Sequence, residues 1–362
     1  MKNAAIFVNS SINLLFAIQL KKALFPKERF DLILSSLAPG LKEASKKKEL
    51  NVLFENVYYV DYNKLTKKIK IEALIRPKIL FEKMLGEKFK EYTDIFFWNP
   101  TLFLYFYIFE MRNRKKKIEL HLYGDAMGAY VCDAPICGRL FKQEYIERYL
   151  KYRFDFKPIS KFEYDYYLIG KEYVAFTSNR KIIDVPKIDI SDIDYIKYLN
   201  IIFGYSEDKE KIINKKYIFM DVVHKDKFGT SDMGIKYMQA LTNIVPDNEF
   251  VVKPHPRQNV EIYKAINNLQ LIEFYVPWEV YCLNNDISGK IIITFGSSSA
   301  FLPFIYTKAR YSVICIDLPS SFNTIYKDEW RKFIDALRVK NPIYLVYSPD
   351  ELEDVVRKII SK

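Results

Sequence analysis

Glycine and histidine are both scarce in this sequence, which has 11 Gly and three His in 362 residues. So little glycine excludes collagen-like and low-complexity scaffolds, and no internal repeat of the solenoid kind is present. The cysteines form no CxxC pair; they are Cys132, Cys137, Cys282 and Cys315. This spacing, together with so few histidines, argues against a structural zinc site and predicts buried thiols in a reducing compartment. We therefore expect no metal.

The sequence also lacks a hydrophobic run long enough to cross a bilayer. The most apolar run, Thr101–Phe109, has about half the required length. The N-terminal stretch shows no small-residue cleavage site of a signal peptide. A basic cluster at 112–117 follows the apolar run and predicts a buried helix with a solvated basic turn, with peripheral membrane contact as the alternative. We expect a cytoplasmic protein, or one peripheral at the cytoplasmic face of the inner membrane.

Positive charge is in excess, with 56 Lys and Arg against 45 Asp and Glu and a formal net charge of +11. Such a balance suits a nucleic acid, an anionic membrane or an anionic substrate, although a Lys-rich composition alone also produces it. No RNP, zinc-finger or helix-turn-helix signature accompanies the charge. We therefore expect no nucleic-acid partner.

Short apolar runs alternate with longer amphipathic stretches along the chain. The predicted strands are Ala4–Val8, Phe30–Leu37, Val52–Val60, Ile95–Trp98, Ile118–Tyr123, Tyr217–Val223, Glu249–Lys253, Ile272–Tyr275, Ile291–Phe295 and Ser312–Ile316. A first helix, capped by Ser10 or Ser11, ends at Leu24, and a last helix covers 350–360. This alternation predicts α/β domains with parallel, doubly wound sheets. A charged connector near 204–216 divides them into domains 1–203 and 204–362.

The stretch Lys253-Pro254-His255-Pro256-Arg257 directly follows a predicted strand. The two prolines keep the histidine out of a helix. An imidazole between Lys and Arg suits an anionic ligand such as a phosphate, to which it can donate a proton or a hydrogen bond. A turn with a surface histidine is the alternative.

A second strand is followed by Gly296 and by Ser297, Ser298 and Ser299. Glycine allows close backbone approach, and hydroxyls with helix-end amides form a phosphate cradle. No Lys follows the serines, so this is not a Walker motif. An ordinary helix N-cap is the competing interpretation.

Acidic and imidazole side chains follow other predicted strands. Glu279 comes shortly after 272–275 and suits hydrogen bonds from a ribose hydroxyl pair, although helix-start glutamates are common. Asp221, His224 and Asp226 follow the strand that opens the second half, and Asp125 lies in a strand-end loop of the first half.

The order and spacing of these motifs resemble the bacterial lipooligosaccharide sialyltransferases of glycosyltransferase family 52, and more distantly the other bacterial sialyltransferases and polysialyltransferases. The resemblance covers most of the chain, and the stretch 254–258 is its most specific part. It implies a GT-B fold, in which two Rossmann-like domains face a central cleft. It also implies a metal-independent, inverting transfer from CMP-sialic acid, with no cofactor, to a lipooligosaccharide or capsule acceptor, free or lipid-linked. A homodimer is a further expectation.

By the same resemblance, His255 is the general acid or phosphate stabiliser, Glu279 binds the ribose, and Ser297 with its serine neighbours binds the phosphate. The sequence departs from the family at two positions. One acid, Asp125, stands where relatives have two, and His224 stands where the family's catalytic Asp is expected. We rank His224 first as the base, Asp125 second and Asp221 third.

Two alternatives stay open. In the first alternative, the donor is another CMP-linked nonulosonate, such as legionaminic or pseudaminic acid, or CMP-Kdo. In the second, the chain is a non-catalytic glycan- or membrane-binding module that uses the aromatic-rich region 141–169 and the basic cluster at 112–117.

Overall fold

The computed structural model describes residues 3–64, 72–73, 75–86, 90–124, 126–133, 164–206, 214–222, 230–255, 260–266, 269–272, 276–317 and 326–360. The chain divides into two compact units. One consists of Met1–Ile188 with Lys197–Phe203, and the other of Asp189–Ile196 with Gly204–Lys362. Each unit contains one parallel β-sheet whose strands alternate with helices. This confirms the predicted α/β class with two Rossmann-like domains.

Seven parallel strands form the sheet of the first unit, in the order β3-β2-β1-β4-β5-β6-β7. They are β1 (Ala4–Val8), β2 (Phe30–Ser35), β3 (Asn56–Val60), β4 (Asp94–Phe97), β5 (Glu119–Tyr123), β6 (Tyr164–Ile169) and β7 (Ile182–Val185). Every residue of β1, β2 and β4 is buried, as expected for central strands covered on both faces.

Helices of the first unit connect these strands. They are α1 (Ser11–Leu24), α2 (Leu41–Ala44), α3 (Pro77–Leu85), α4 (Leu102–Asn113) and α5 (Gly128–Val131). A further helix, α6 (Ile193–Phe203), follows β7; its residues up to Ile196 belong to the second unit and the rest to the first. Ser10 is the N-cap of α1, and its hydroxyl accepts the Asn13 N–H at 3.1 Å, which confirms the predicted start. Short 3-10 turns occur at Lys48–Val52, Tyr62–Lys64 and Lys171–Tyr173.

The second unit has a five-stranded sheet in the order β12-β11-β10-β8-β9. Its parallel strands are β8 (Tyr217–Met220), β9 (Phe250–Lys253), β10 (Ile291–Thr294), β11 (Ser312–Ile316) and β12 (Ile343–Val346). Its helices are α7 (Thr230–Thr242), α8 (Trp278–Asn284), α9 (Leu302–Tyr306), α10 (Lys327–Arg338) and α11 (Pro349–Ile360), with 3-10 turns at Val260–Ala265 and Ser298–Ala300. The Ser348 hydroxyl accepts a hydrogen bond from the Glu351 N–H at 3.2 Å at the start of the last helix, which covers the predicted residues 350–360.

Two predicted strands need correction. The beginning of the predicted strand 52–60 is a 3-10 turn, and β3 starts only at Asn56. Of the predicted strand 272–275 only Ile272 is described, and the neighbouring Leu271 forms an isolated bridge with Val252 instead of a regular strand. Three observed strands, β6, β7 and β12, were not predicted.

The apolar run that begins at Thr101 forms α4, which is buried over Phe103–Met111, and the Thr101 hydroxyl caps it by accepting the Leu104 N–H. The basic cluster at 112–117 ends this helix, as predicted. Several of its charges are paired with acids: Arg114 contacts Glu110 and Glu91, Lys116 contacts Glu91, and Lys117 contacts Glu119. This pairing leaves less positive charge for an anionic membrane. No described helix has the length and apolarity that a membrane span requires.

The cysteines differ in part from the prediction. Cys282 and Cys315 are buried free thiols, as expected. Cys132 is disulfide-bonded, so the prediction of a thiol at this position is wrong. The absence of a CxxC pair did not exclude a disulfide with a different spacing.

Candidate functional site

The carboxyl edge of the second sheet brings three strand ends into one row. Thr294 of β10 pairs with Met220 of β8, and Met220 pairs with Lys253 of β9. The chain passes from β8 to β9 on one side of β8 and then crosses to β10 on its other side. The direction in which strands are added to the sheet therefore reverses between β8 and β10. In open α/β sheets, ligands bind outside the carboxyl ends of the strands at such a reversal point. The predicted motifs after β8, β9 and β10 therefore start from the same edge.

Thr294 anchors the serine-containing turn to this edge. Its fully buried hydroxyl donates to the Met220 carbonyl at 2.9 Å and accepts the Ser297 N–H at 2.9 Å. Between them, Gly296 has φ of 90°, a conformation that L side chains rarely adopt. The turn is therefore held from both sides, and its glycine is required by the backbone.

The serine turn differs from the predicted helix start. Ser298–Ala300 is a 3-10 turn, and the helix that follows, α9, has only five residues. Ser297 precedes the 3-10 turn, yet its side chain makes no capping hydrogen bond. This disfavours an ordinary cap for Ser297 and leaves its hydroxyl suited to a ligand.

Helix α8 is connected to the serine turn through Tyr311. The Tyr311 hydroxyl donates to the Ala300 carbonyl at 2.9 Å and interacts electrostatically with Glu279 of α8. Burial raises the pKa of Tyr311 well above its usual range, so this hydroxyl stays protonated. Glu279 follows Trp278 and is buried, at 2% exposure.

Glu279 and Lys253 interact electrostatically. Burial lowers the pKa of Lys253, and the negative charge of Glu279 offsets part of that fall. Buried charges are stable only when an opposite charge or hydrogen bonds compensate for lost hydration. The structure therefore brings together Lys253 and Glu279, which lie 26 residues apart in sequence.

His255 lies two residues beyond the end of β9 and is half-buried. Because β9 ends at Lys253, His255 follows the same carboxyl edge of the sheet as the serine turn after Thr294. Arg257, the other predicted phosphate ligand of this stretch, lies outside the described residues.

Asp221 follows β8 directly and is buried, at 3% exposure. One carboxylate oxygen accepts the Val222 N–H at 2.8 Å, and the other accepts the hydroxyl of Tyr263. Its own N–H donates to the Lys253 carbonyl at 3.1 Å. Such an environment suits an acid that holds neighbouring segments in place.

His224 and Asp125 are the two residues ranked above Asp221 as the base. Both lie outside the described residues. Next to Asp125, the structure explains Gly124. A Cβ at this position would lie 2.2 Å from Leu168 Cδ2 and 2.4 Å from the Ala129 Cβ. The glycine of this strand-end loop is therefore required by close packing.

Sequence reasoning missed Tyr263 and Tyr311 and did not single out Thr294 within its motif. Tyr263 contacts a residue 42 positions away. Among 28 tyrosines, nothing local distinguishes these two. The one available signal for Thr294 was its position, since it is a polar residue at the end of an apolar strand.

A group that could hold a metal ion lies in the first unit, at the amino end of its sheet. One potential ligand atom from each of Asp94, Glu119 and His121 lies within 4.8 Å of the others. These side chains already have protein partners: His121 Nε2 lies 3.1 Å from Asp94 Oδ1, and Lys117 donates to Glu119. A cavity of about 250 Å³ lined by Arg29, Asp31, Lys90 and others also opens at this end.

No protein-family profile matches the sequence, and no curated protein matches it. Several solved structures share its fold. The UDP-GlcNAc 2-epimerase of Neisseria meningitidis, bound to UDP-GlcNAc, gives a TM-score of 0.53 at 14% identity, covering 100% of this chain and 92% of that one. The UDP-GlcNAc 2-epimerase of Methanocaldococcus jannaschii gives 0.50 at 13% identity with 100% of both chains covered. Spinosyn rhamnosyltransferase SpnG gives 0.51 at 9% identity, covering 100% and 92%. At these identities the similarity shows the GT-B fold alone.

Proposed function

We propose that this chain is a glycosyltransferase that moves a sialic-acid-type sugar from a CMP donor to a surface-glycan acceptor. The observation that carries the proposal is the assembly of Lys253, Glu279 and the serine turn at the reversal point of the second sheet. These groups come from three separate stretches of sequence. Together they offer a cation, a carboxylate and hydroxyls, which are the groups that a ribose monophosphate requires.

In this proposal the phosphate of CMP binds to the serine turn. Ser297 and its neighbours Ser298 and Ser299 supply hydroxyls, and Lys253 and Arg257 supply positive charge. Glu279, in the first turn of α8, is the proposed acceptor of hydrogen bonds from the ribose. No metal is required in this scheme, because protein donors neutralise the phosphate.

The chemical step breaks the bond between the anomeric carbon and the phosphate oxygen. His255 donates a hydrogen bond or a proton to that oxygen as negative charge develops on it. A well-aimed donor of this kind contributes about 2.7–4 kcal/mol to transition-state stabilisation. The acceptor hydroxyl attacks from the opposite face, which inverts the anomeric centre, and a base takes its proton.

His224 is the first candidate for the base, since imidazole has an unperturbed pKa of about 6.5 and accepts protons near neutrality. Asp125 is the second candidate. A base contributes about 10²–10⁴-fold to the rate. Asp221 is the weakest of the three, because both of its oxygens already accept hydrogen bonds.

A second candidate function uses a UDP-sugar. It is favoured by the structures of similar fold, one of which is bound to UDP-GlcNAc. CMP-Kdo and CMP-linked legionaminic or pseudaminic acid remain alternative donors within the first proposal. A non-catalytic glycan-binding module is the alternative that involves no chemistry.

The test is release of nucleotide from purified protein supplied with CMP-sialic acid, CMP-Kdo, the two other CMP-nonulosonates and UDP-GlcNAc, without acceptor. We expect slow release of CMP from one CMP-sugar. His255→Ala should lower that release by at least about 10²-fold. His121→Gln is the matched control, because it removes an imidazole of the first unit while keeping a donor toward Asp94.

Each alternative result has a definite meaning. Release from UDP-GlcNAc alone would favour the second candidate. No release from any donor would overturn the transferase proposal. Wild-type release by His255→Ala would remove His255 from the mechanism.

A further inference from the structure

Asp221 contacts both ends of the segment that carries His255. Its backbone N–H donates to the carbonyl of Lys253, two residues before the histidine, at 3.1 Å. Its carboxylate accepts the hydroxyl of Tyr263, eight residues after the histidine. One residue at the end of β8 therefore holds the two ends of segment 254–262.

The same carboxylate also holds the chain that leaves β8. The second oxygen of Asp221 accepts the Val222 N–H at 2.8 Å. Val222 lies two residues before His224, the first candidate for the base. The stretches that lead to the predicted acid and the predicted base thus share one anchor.

The Asp221–Tyr263 contact is well suited to a fixed anchor. Both residues are buried, at 3% and 2% exposure. Burial, and then the negative charge of Asp221, raise the pKa of Tyr263 far above its usual range. The hydroxyl therefore remains a donor at every pH at which the protein is folded and active. A buried carboxylate that lost this donor would be poorly compensated, so the contact is costly to break.

We propose that Asp221 and Tyr263 form a clamp that positions His255 against the leaving phosphate, so that both are positioning residues and neither is the base. This inference rests on the proposed function. Displacement of a reacting group by about 1 Å can cost about 10²-fold in rate. The clamp therefore acts on catalysis through the location of His255.

The first test compares Tyr263→Phe with Tyr217→Phe, using the CMP-sugar that the wild type hydrolyses. Tyr217 is the matched control: it is buried, it lies in β8 four residues before Asp221, and its hydroxyl has no hydrogen-bond partner among the described residues. We expect Tyr263→Phe to lower kcat about 10- to 100-fold with little change in KM. Tyr217→Phe should leave both constants unchanged.

The second test asks whether the clamp acts through His255. In a His255→Ala background, Tyr263→Phe should cause no further loss, because the group that it positions is already absent. Asp221→Asn, which keeps an acceptor oxygen, should retain more activity than Asp221→Ala. If the double variant instead loses activity by the product of the two single losses, the two substitutions act independently. That result would overturn the clamp.

A third measurement separates failure of the clamp from failure of the proposed function. Hydrogen–deuterium exchange of the peptide that covers 254–262 needs no substrate. We expect faster exchange there in Tyr263→Phe, and unchanged exchange in Tyr217→Phe. Unchanged exchange in both variants would overturn the clamp whatever the donor is, whereas an inactive wild type with faster exchange in Tyr263→Phe would overturn only the transferase proposal.

Discussion

Replacement of Thr294 by valine tests whether the serine turn depends on the edge of the second sheet. Valine has nearly the same shape as threonine and is equally suited to a strand. It lacks the hydroxyl that donates to the Met220 carbonyl and accepts the Ser297 N–H. The substitution therefore removes two hydrogen bonds with almost no change in packing volume.

The magnitude follows from where the two lost partners lie. Met220 is 2% exposed, so its carbonyl loses a donor that water replaces poorly. Ser297 is half-buried, so its N–H can be hydrated in part. Loss of a partner to a buried polar group costs about 1–3 kcal/mol. We expect Thr294→Val to lower the free energy of unfolding by that amount and to weaken donor binding.

Thr307→Val is the matched control. Thr307 is also buried, and its hydroxyl likewise donates to a carbonyl, that of Pro303 at 2.8 Å, and accepts an N–H, that of Ala309 at 3.2 Å. Urea unfolding monitored by circular dichroism should show a comparable loss for both variants. Isothermal titration with CMP should show weaker binding only for Thr294→Val. Equal CMP affinity in the two variants would refute the reasoning that Thr294 positions a nucleotide-binding turn.

Three further outcomes are expected. Gly296→Ala should destabilise the protein by about 1–2 kcal/mol, since alanine at φ of 90° is strained, and should weaken CMP binding; unchanged affinity would contradict this. Gly124→Ala should lower the melting temperature, because its Cβ would lie 2.2 Å from Leu168 and overpacking costs about 1–3 kcal/mol; an unchanged melting temperature would contradict the packing. Burial raises the pKa of Asp94, but hydrogen bonds from His121 and then Thr93 outweigh this effect and hold that pKa below its ordinary value. The stabilisation by ionised Asp94 is present above the ordinary pKa of an aspartate and is lost as pH falls through the lowered pKa. Below about pH 4, the urea midpoint of Asp94→Asn should therefore fall less than that of the wild type.

The sequence predicted the strands that are short, apolar and bounded by clear turns. Ala4–Val8 and Ser312–Ile316 were found at their predicted bounds, because a continuous apolar run followed by polar residues is typical of a buried parallel strand. β6 was missed because Tyr164–Ile169 contains a charged residue and follows a long stretch dense in Tyr, Lys and Arg. β12, only four residues long and half-buried in its middle, lacks a distinct pattern.

The candidate site was predictable only as separate motifs. His255 and the serine turn follow strands, so their common edge could be inferred from the rules of parallel sheets. The burial of Glu279 and its interaction with Lys253 depend on how α8 packs, which local sequence does not determine. The Asp221–Tyr263 contact joins positions that no local pattern relates.

The central claim is that the carboxyl edge of the second sheet binds a nucleoside monophosphate, and a crystal structure of the protein with CMP tests it most directly. We predict the phosphate within hydrogen-bond distance of the Ser297 hydroxyl and the His255 imidazole, and the ribose hydroxyls against Glu279. CMP bound away from these residues, or no bound CMP at millimolar concentration, would contradict the account.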